Sequence, residues 1–197
     1  MTALILIGSS SPVHAFELGF IGGYNSNSPS ISNAGVDATT SGSSGYELGA
    51  YFSQALVNKF SIEIDTILEH KSYVLGSSST GTTYSLNDFQ IPVFARYSII
   101  PLFNVGLGLY WSSSFGSVST NNGTSSTTFS QSYSAAGLSE TDFGLTTSIQ
   151  ARIPVTPVNR LILDVRYNFG LSNLSTDSAN SYKSRELCFL AGFSFGL

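Results

Sequence analysis

Two residues in this chain have the types and spacing of a nucleophile–base pair. His70 and Ser72 stand two apart, and residues i and i+2 of an extended segment share one face. An imidazole so placed can take the proton of a serine hydroxyl, with Glu140 as the acid that would orient the ring; nothing in the spacing brings Glu140 near. The other histidine, His14, lies in the first fifteen residues. Cys188 is the single cysteine, so it forms no internal disulfide and, with two histidines, assembles no metal constellation. It reads as a small structural side chain. No catalytic, cofactor or metal site is expected. The chemistry left over is ionic: Glu63, Asp65, Arg96, Asp142, Arg152, Asp164 and Arg166 all fall on one side of an alternating pattern, together with Glu17, Glu47 and Glu186.

That pattern governs the elements that must position them. From Phe16 onward the hydropathy alternates with period two, and no segment holds a helical period. Eight strands are expected, at 16–24, 46–54, 60–71, 87–98, 103–112, 141–153, 160–170 and 185–197. Each is long enough for the ~9–11 residues a tilted strand needs to cross a bilayer. The connections after the second, fourth and sixth are short. Those after the first, third, fifth and seventh are long and rich in Ser, Thr, Asn and Gly, the longest being 113–140. Segregation of loop length by end belongs to an up-and-down barrel in an outer membrane. Pro92, which removes a ladder donor, is expected to sit at a bulge.

Composition says which face meets what. The chain has 197 residues, 8 Lys or Arg and 12 Asp or Glu, where an average soluble domain of this length would carry roughly fifty charges. The negative balance and the lack of a basic cluster exclude nucleic acid as a partner. An exterior of so few charges argues that the apolar set faces lipid and the ionised set lines a narrow lumen. Aromatics support this by gathering at strand ends: Phe16, Phe52, Phe60, Tyr97, Phe103 and Phe195 at the short-turn end, Tyr24, Tyr46, Phe89, Trp111, Phe143 and Phe169 at the long-loop end. Two such girdles mark the two membrane interfaces. An eight-stranded lumen has room for its own side chains, so Arg96, Arg152 and Arg166 are expected to pair there with Glu63, Asp65, Asp142 and Asp164.

The pieces Ile91-Pro92-Val93-Phe94-Ala95-Arg96-Tyr97, Asn104-Val105-Gly106-Leu107-Gly108, Leu163-Asp164-Val165-Arg166-Tyr167 and Phe193-Ser194-Phe195-Gly196-Leu197 resemble the OmpA/OmpX-like family of small outer-membrane β-barrels. The resemblance implies an all-β, eight-stranded antiparallel up-and-down transmembrane β-barrel with short periplasmic turns and long extracellular loops, in a Gram-negative outer membrane. The last segment departs by ending in Leu197 rather than an aromatic. Residues 1–15, an apolar run followed by Val13-His14-Ala15, are similar to a truncated signal peptide, leaving 16–197 as one barrel domain. The expected role is structural or surface interaction, as a monomer, with outer-membrane lipid around it and an extracellular ligand or surface at its loops. The alternatives are a narrow solute or ion channel, a soluble ligand-binding barrel, and a lipid A-modifying enzyme, because His70-x-Ser72 is similar to the His-x-Ser pair of outer-membrane lipid A deacylases.

Overall fold

The structure is a computed structural model that describes residues 16–33, 40–41, 43–57, 59–75, 82–122, 128–177 and 180–197. The expected signal segment, 1–15, lies outside the described residues. All regular structure among the described residues is strand: β1 (Phe16–Asn27), β2 (Ser30–Asn33), β3 (Thr40–Ser41), β4 (Ser43–Val57), β5 (Phe60–Leu75), β6 (Thr82–Ile100), β7 (Phe103–Asn122), β8 (Thr128–Gln131), β9 (Thr141–Pro154), β10 (Asn159–Gly170), β11 (Asn180–Lys183) and β12 (Arg185–Gly196).

Eight of these close on themselves in the order β5-β4-β1-β12-β10-β9-β7-β6, with β6 pairing back onto β5 and every pair antiparallel. Closure satisfies every strand edge, the only way a sheet can stand in lipid. The register fixes the stagger. Following cross-strand partners from Asn27 leads through Glu186, Asn168, Thr146, Gly108, Phe94, Glu63 and Ser53 back to Glu17. One circuit thus descends β1 from residue 27 to residue 17, ten positions, which tilts the strands by roughly 40°.

Burial alternates along each wall as the hydropathy does. In β9 the pattern is strictly exposed–buried from Thr141 to Gln150, and in β10 it runs so from Leu161 to Gly170. The outward set is apolar: Leu18, Phe20, Ile64, Leu107, Ile149, Leu163 and Val165 are all exposed. The buried set is mostly polar or charged, including Glu63, Asp65, Arg96, Asp164 and Arg166. A soluble barrel would show the reverse, so the soluble ligand-carrier alternative falls. Apolar residues that break the pattern, Ile21, Ile67 and Ile162, pack inside the lumen with Tyr51, Cys188 and Leu190.

Three expectations are corrected. Pro92 sits at no bulge: β5 and β6 keep one register on either side of it, Ile64↔Val93 and Ile67↔Gln90. Proline points its missing donor at one interrupted stretch of ladder, which costs less than shifting every side chain beyond it. The bulges lie instead between Ser85 and Asn87 and near the turns at Ala55/Val57 and Ser98/Ile100. The segment 113–140 is not wholly a loop, because β7 continues to Asn122 and β8 returns along it. Gly116, at φ +80°, supplies the left-handed residue that this stretch of β7 needs. Finally, β2 and β11 pair with each other beyond the barrel rim, strands too short for the hydropathy to show.

Candidate functional site

Among the described residues the lumen holds three ion-paired groups, stacked from the short-turn end to the long-loop end. At the short-turn end Glu17 accepts from Arg160 and forms an ion pair with Arg152. These cations come from β9 and β10, whose connecting turn brings them beside the first strand.

The central group is the tightest. Arg96 on β6 reaches Glu63 at 2.5 Å and Asp164 at 3.0 Å. Arg166 on β10 reaches Asp65 at 2.5 Å, Asp164 at 2.9 Å and Glu63 at 3.5 Å. Asp164 also accepts from the Ser148 hydroxyl at 2.5 Å and from Gln150 at 3.2 Å. The Phe94 ring lies 4.5 Å from the Arg96 guanidinium and 4.9 Å from that of Arg166. Two cations against one ring and three carboxylates make an ion-paired plug with one formal negative charge in excess: a buried ion is tolerated where close counter-charges offset its desolvation, and each arginine here meets at least two carboxylates.

Toward the long loops, Lys71 bridges Asp88 at 2.5 Å and Glu69 at 3.5 Å. Asn25 donates to Glu69 at 2.9 Å and Ser114 to Asp88 at 2.6 Å. Above them Leu86, Val118 and Tyr133 form a second apolar cluster, with Tyr84, Ala136, Leu138 and Tyr182 packed on it. Burial, reinforced by the nearby Asp88 carboxylate, raises the Tyr133 hydroxyl above the usual tyrosine range. Beneath this lid lies a small, partly open pocket lined by Lys71, Asp88, Asp142, Tyr133 and Arg185 among others.

The structure therefore brings together Glu63, Asp65, Arg96, Asp164 and Arg166, and leaves two of the expected network outside. Arg152 belongs to the Glu17 group. Asp142 meets no arginine but accepts from Tyr110 at 2.9 Å and from Ser172, because the stagger carries β9 that far toward the loops. Sequence reading missed Lys71, Glu69 and Asp88 as a group. Their signal was present, since residues 69 and 71 share the parity of 63 and 65.

On the outer wall Phe16 pairs with Phe52, Phe60 with Tyr97 and Phe195 with Phe20 and Phe193. Toward the loops Tyr46 stacks on His70, and Arg185 covers the Phe169 ring. Tyr24, Phe103, Trp111 and Phe143 are exposed and Phe89 half-buried. His70 bonds Asn87 through Nδ1 at 2.9 Å, while Ser72 meets Ser85 at 3.0 Å; the two residues of the nucleophile–base spacing thus face different partners.

Residues 8–176 match the family described as outer membrane protein beta-barrel domain. No curated protein matches the chain. Among solved structures it is similar to the outer membrane protein OprG from Pseudomonas aeruginosa (15% identity, 93% of this chain and 98% of that one, TM-score 0.53). Neisserial surface protein A is similar too (16% identity, 93% and 97%, TM-score 0.53). So is Ail, the attachment invasion locus protein of Yersinia pestis, in complex with the heparin analogue sucrose octasulfate (12% identity, 91% and 99%, TM-score 0.50). At these identities the likeness is one of fold.

Proposed function

The chain belongs to the outer membrane protein β-barrel family, and from that premise we propose that it is a monomeric, plugged anchor presenting a surface-contact platform outside a Gram-negative cell. Its place in the outer membrane follows from the family and from the lipid-facing wall. The plug is supported by one observation above others: Phe94, Arg96 and Arg166 meet across the lumen and are each 2% exposed or less. Opening a solute path there would strip Glu63, Asp65 and Asp164 of their counter-charges, a cost of several kcal/mol for each buried ion.

The platform is supported by what stands above the rim. The strands β6 and β7 run to 19 and 20 residues, well past the ~9–11 that a bilayer needs. The long connections are rich in Ser, Thr, Asn and Gly, and Lys183 is their single cation. Loops held on a rigid scaffold are common recognition elements. The partner this composition suits is a weakly charged, hydrogen-bonding one, a neutral glycan or protein surface, in contrast to the sulfated ligand in the Ail complex. Catalysis is not part of the reading, since His70 and Ser72 each engage another residue.

Reconstitution into planar bilayers tests the plug: a flat current trace is expected, and discrete conductance steps would replace this reading with a channel. Adhesion of expressing cells to a neutral glycan or protein surface tests the platform. Replacing 113–140 by a short turn should abolish adhesion without changing the heat shift of the barrel on a gel; undiminished adhesion would overturn the reading. Lipid A losing acyl chains in such cells would return the enzyme.

A further inference from the structure

One buried cluster borders the Lys71 group, with Glu186 in hydrogen-bond reach of Glu69, but shares none of its ion pairs. Glu47 on β4 and Glu186 and Cys188 on β12 all point into the lumen, and one carboxylate oxygen of each glutamate and the Cys188 Sγ lie within 4.8 Å of one another. The register brings them together. Strand β1 stands between β4 and β12, and the β1 residue opposite Glu47 is Gly23, which offers no side chain to keep the flanking strands' groups apart. Glu69 is the cross-strand partner of Glu47 on the other side, so a third carboxylate borders the cluster.

No cation among the described residues forms an ion pair with this cluster, although Lys71 and Arg166 lie near enough to act on it through space. Arg96 and Arg166 serve Glu63, Asp65 and Asp164, Arg152 and Arg160 serve Glu17, and Lys71 bridges Glu69 and Asp88. Lys59 lies at the turn before β5, Lys183 in β11, and Arg185 against Phe169 outside the wall. Glu47 and Glu186 thus have no ion-pair partner among the described residues. They are only 5% and 2% exposed, and Oε1 of each lacks a hydrogen-bond partner. Two carboxylates buried side by side with vacant oxygens carry a large desolvation cost unless a proton or a cation joins them, and a cation can join both at once.

We propose that Glu47, Glu186 and Cys188 form a lumenal binding site for one divalent transition-metal cation of the Zn²⁺ class. The sulfur decides the class: Mg²⁺ and Ca²⁺ take oxygen donors, whereas a thiolate with carboxylates suits a borderline-soft ion. Bonds of about 2.0–2.3 Å would place tetrahedral donors roughly 3.3–3.8 Å apart, so the cluster contracts by about an ångström through side-chain rotation. Binding releases the thiol proton to water, and the cation bonds to the resulting thiolate and the two carboxylates. Asn168 is placed to hold two of these ligands in position, donating to Glu186 Oε2 at 3.0 Å and approaching Cys188 Sγ at 3.8 Å. The route in is the long-loop side, since the Arg96–Phe94–Arg166 plug closes the other.

The experiment refolds the full barrel in detergent with an equimolar amount of Co²⁺, removes excess metal on a chelating resin, and verifies folding by heat shift. One retained equivalent per chain, with a sulfur-to-cobalt charge-transfer absorption, is expected. Cys188→Ser should lose that absorption, and Glu47→Gln and Glu186→Gln should each weaken Zn²⁺ binding at least tenfold in competition. Folded wild-type protein that retains no metal overturns the proposal. So does retained cobalt without the sulfur absorption, or binding indifferent to the two glutamine variants, which read the same site should the serine variant fail to fold.

Discussion

Tyr51 occupies the space that a side chain on Gly19 would need: a Cβ at position 19 would overlap the tyrosine ring, and the two residues are register partners across β1 and β4. Tyr110 and Gly144 repeat the relationship across β7 and β9. Both rings are almost fully buried, so the lumen is filled by pairing its largest side chains with its smallest.

Gly19→Val should therefore destabilise the barrel by about 1–3 kcal/mol, the range for overpacking a filled interior. Equilibrium urea unfolding in lipid vesicles measures it. Combining Gly19→Val with Tyr51→Ala should recover part of the loss, giving a coupling energy of at least 0.5 kcal/mol, as expected for residues in contact. Strict additivity would mean the two do not compete for space.

Arg166→Met removes the counter-charge of Asp65 and half that of Asp164 and Glu63. Uncompensated buried charge costs about 3–5 kcal/mol, to be read from the same unfolding curves. Arg152→Met should cost less, because Arg160 still reaches Glu17. Equal losses would show that the central group has no special weight.

Ile64 lies on the outer wall, midway between the aromatic Phe60 and the loop-end His70 on β5. Ile64→Arg should cost about 2–4 kcal/mol near the bilayer midplane, against ~0–1 for Leu102→Arg at the exposed β6–β7 turn. Ser61→Arg is no neutral control, although it avoids lipid: Ser61 is the direct partner of Arg96, and an arginine there would meet like charge. Depth-independent costs for Ile64 and Leu102 would contradict the lipid-facing wall.

Tyr133→Ala removes the ring that packs on Leu86 and Val118. Truncating a buried aromatic costs roughly 3–5 kcal/mol, and here the loss should stay local. Hydrogen exchange should accelerate at 83–86 and 117–120 while amides of β9 and β10 keep their protection. Uniform acceleration would show that the lid and the barrel unfold together.

Much of the fold was legible because a membrane barrel writes its geometry as parity. Ile62, Ile64 and Leu68 against Glu63, Asp65 and Glu69 already separate wall from lumen, and loop length already separates the two ends. The outer extensions were not legible. Tyr84, Val118 and Tyr133 stand among Ser and Thr, where alternation is weak, and their burial comes from strands folding over one another rather than from a repeating pattern.

Sequence alone determined the class of fold, the number of barrel strands, the face each of them turns to lipid and the set of groups confined to the lumen, since all four follow from local periodicity in a chain too poorly charged to face water. Tertiary structure decided which of those groups meet. The ten-residue stagger around the wall sets Arg166 beside Asp65 rather than Asp142, gives Arg152 to Glu17, and leaves Glu47, Glu186 and Cys188 facing one another, because register is a relation between strands distant in the chain and no local pattern encodes it.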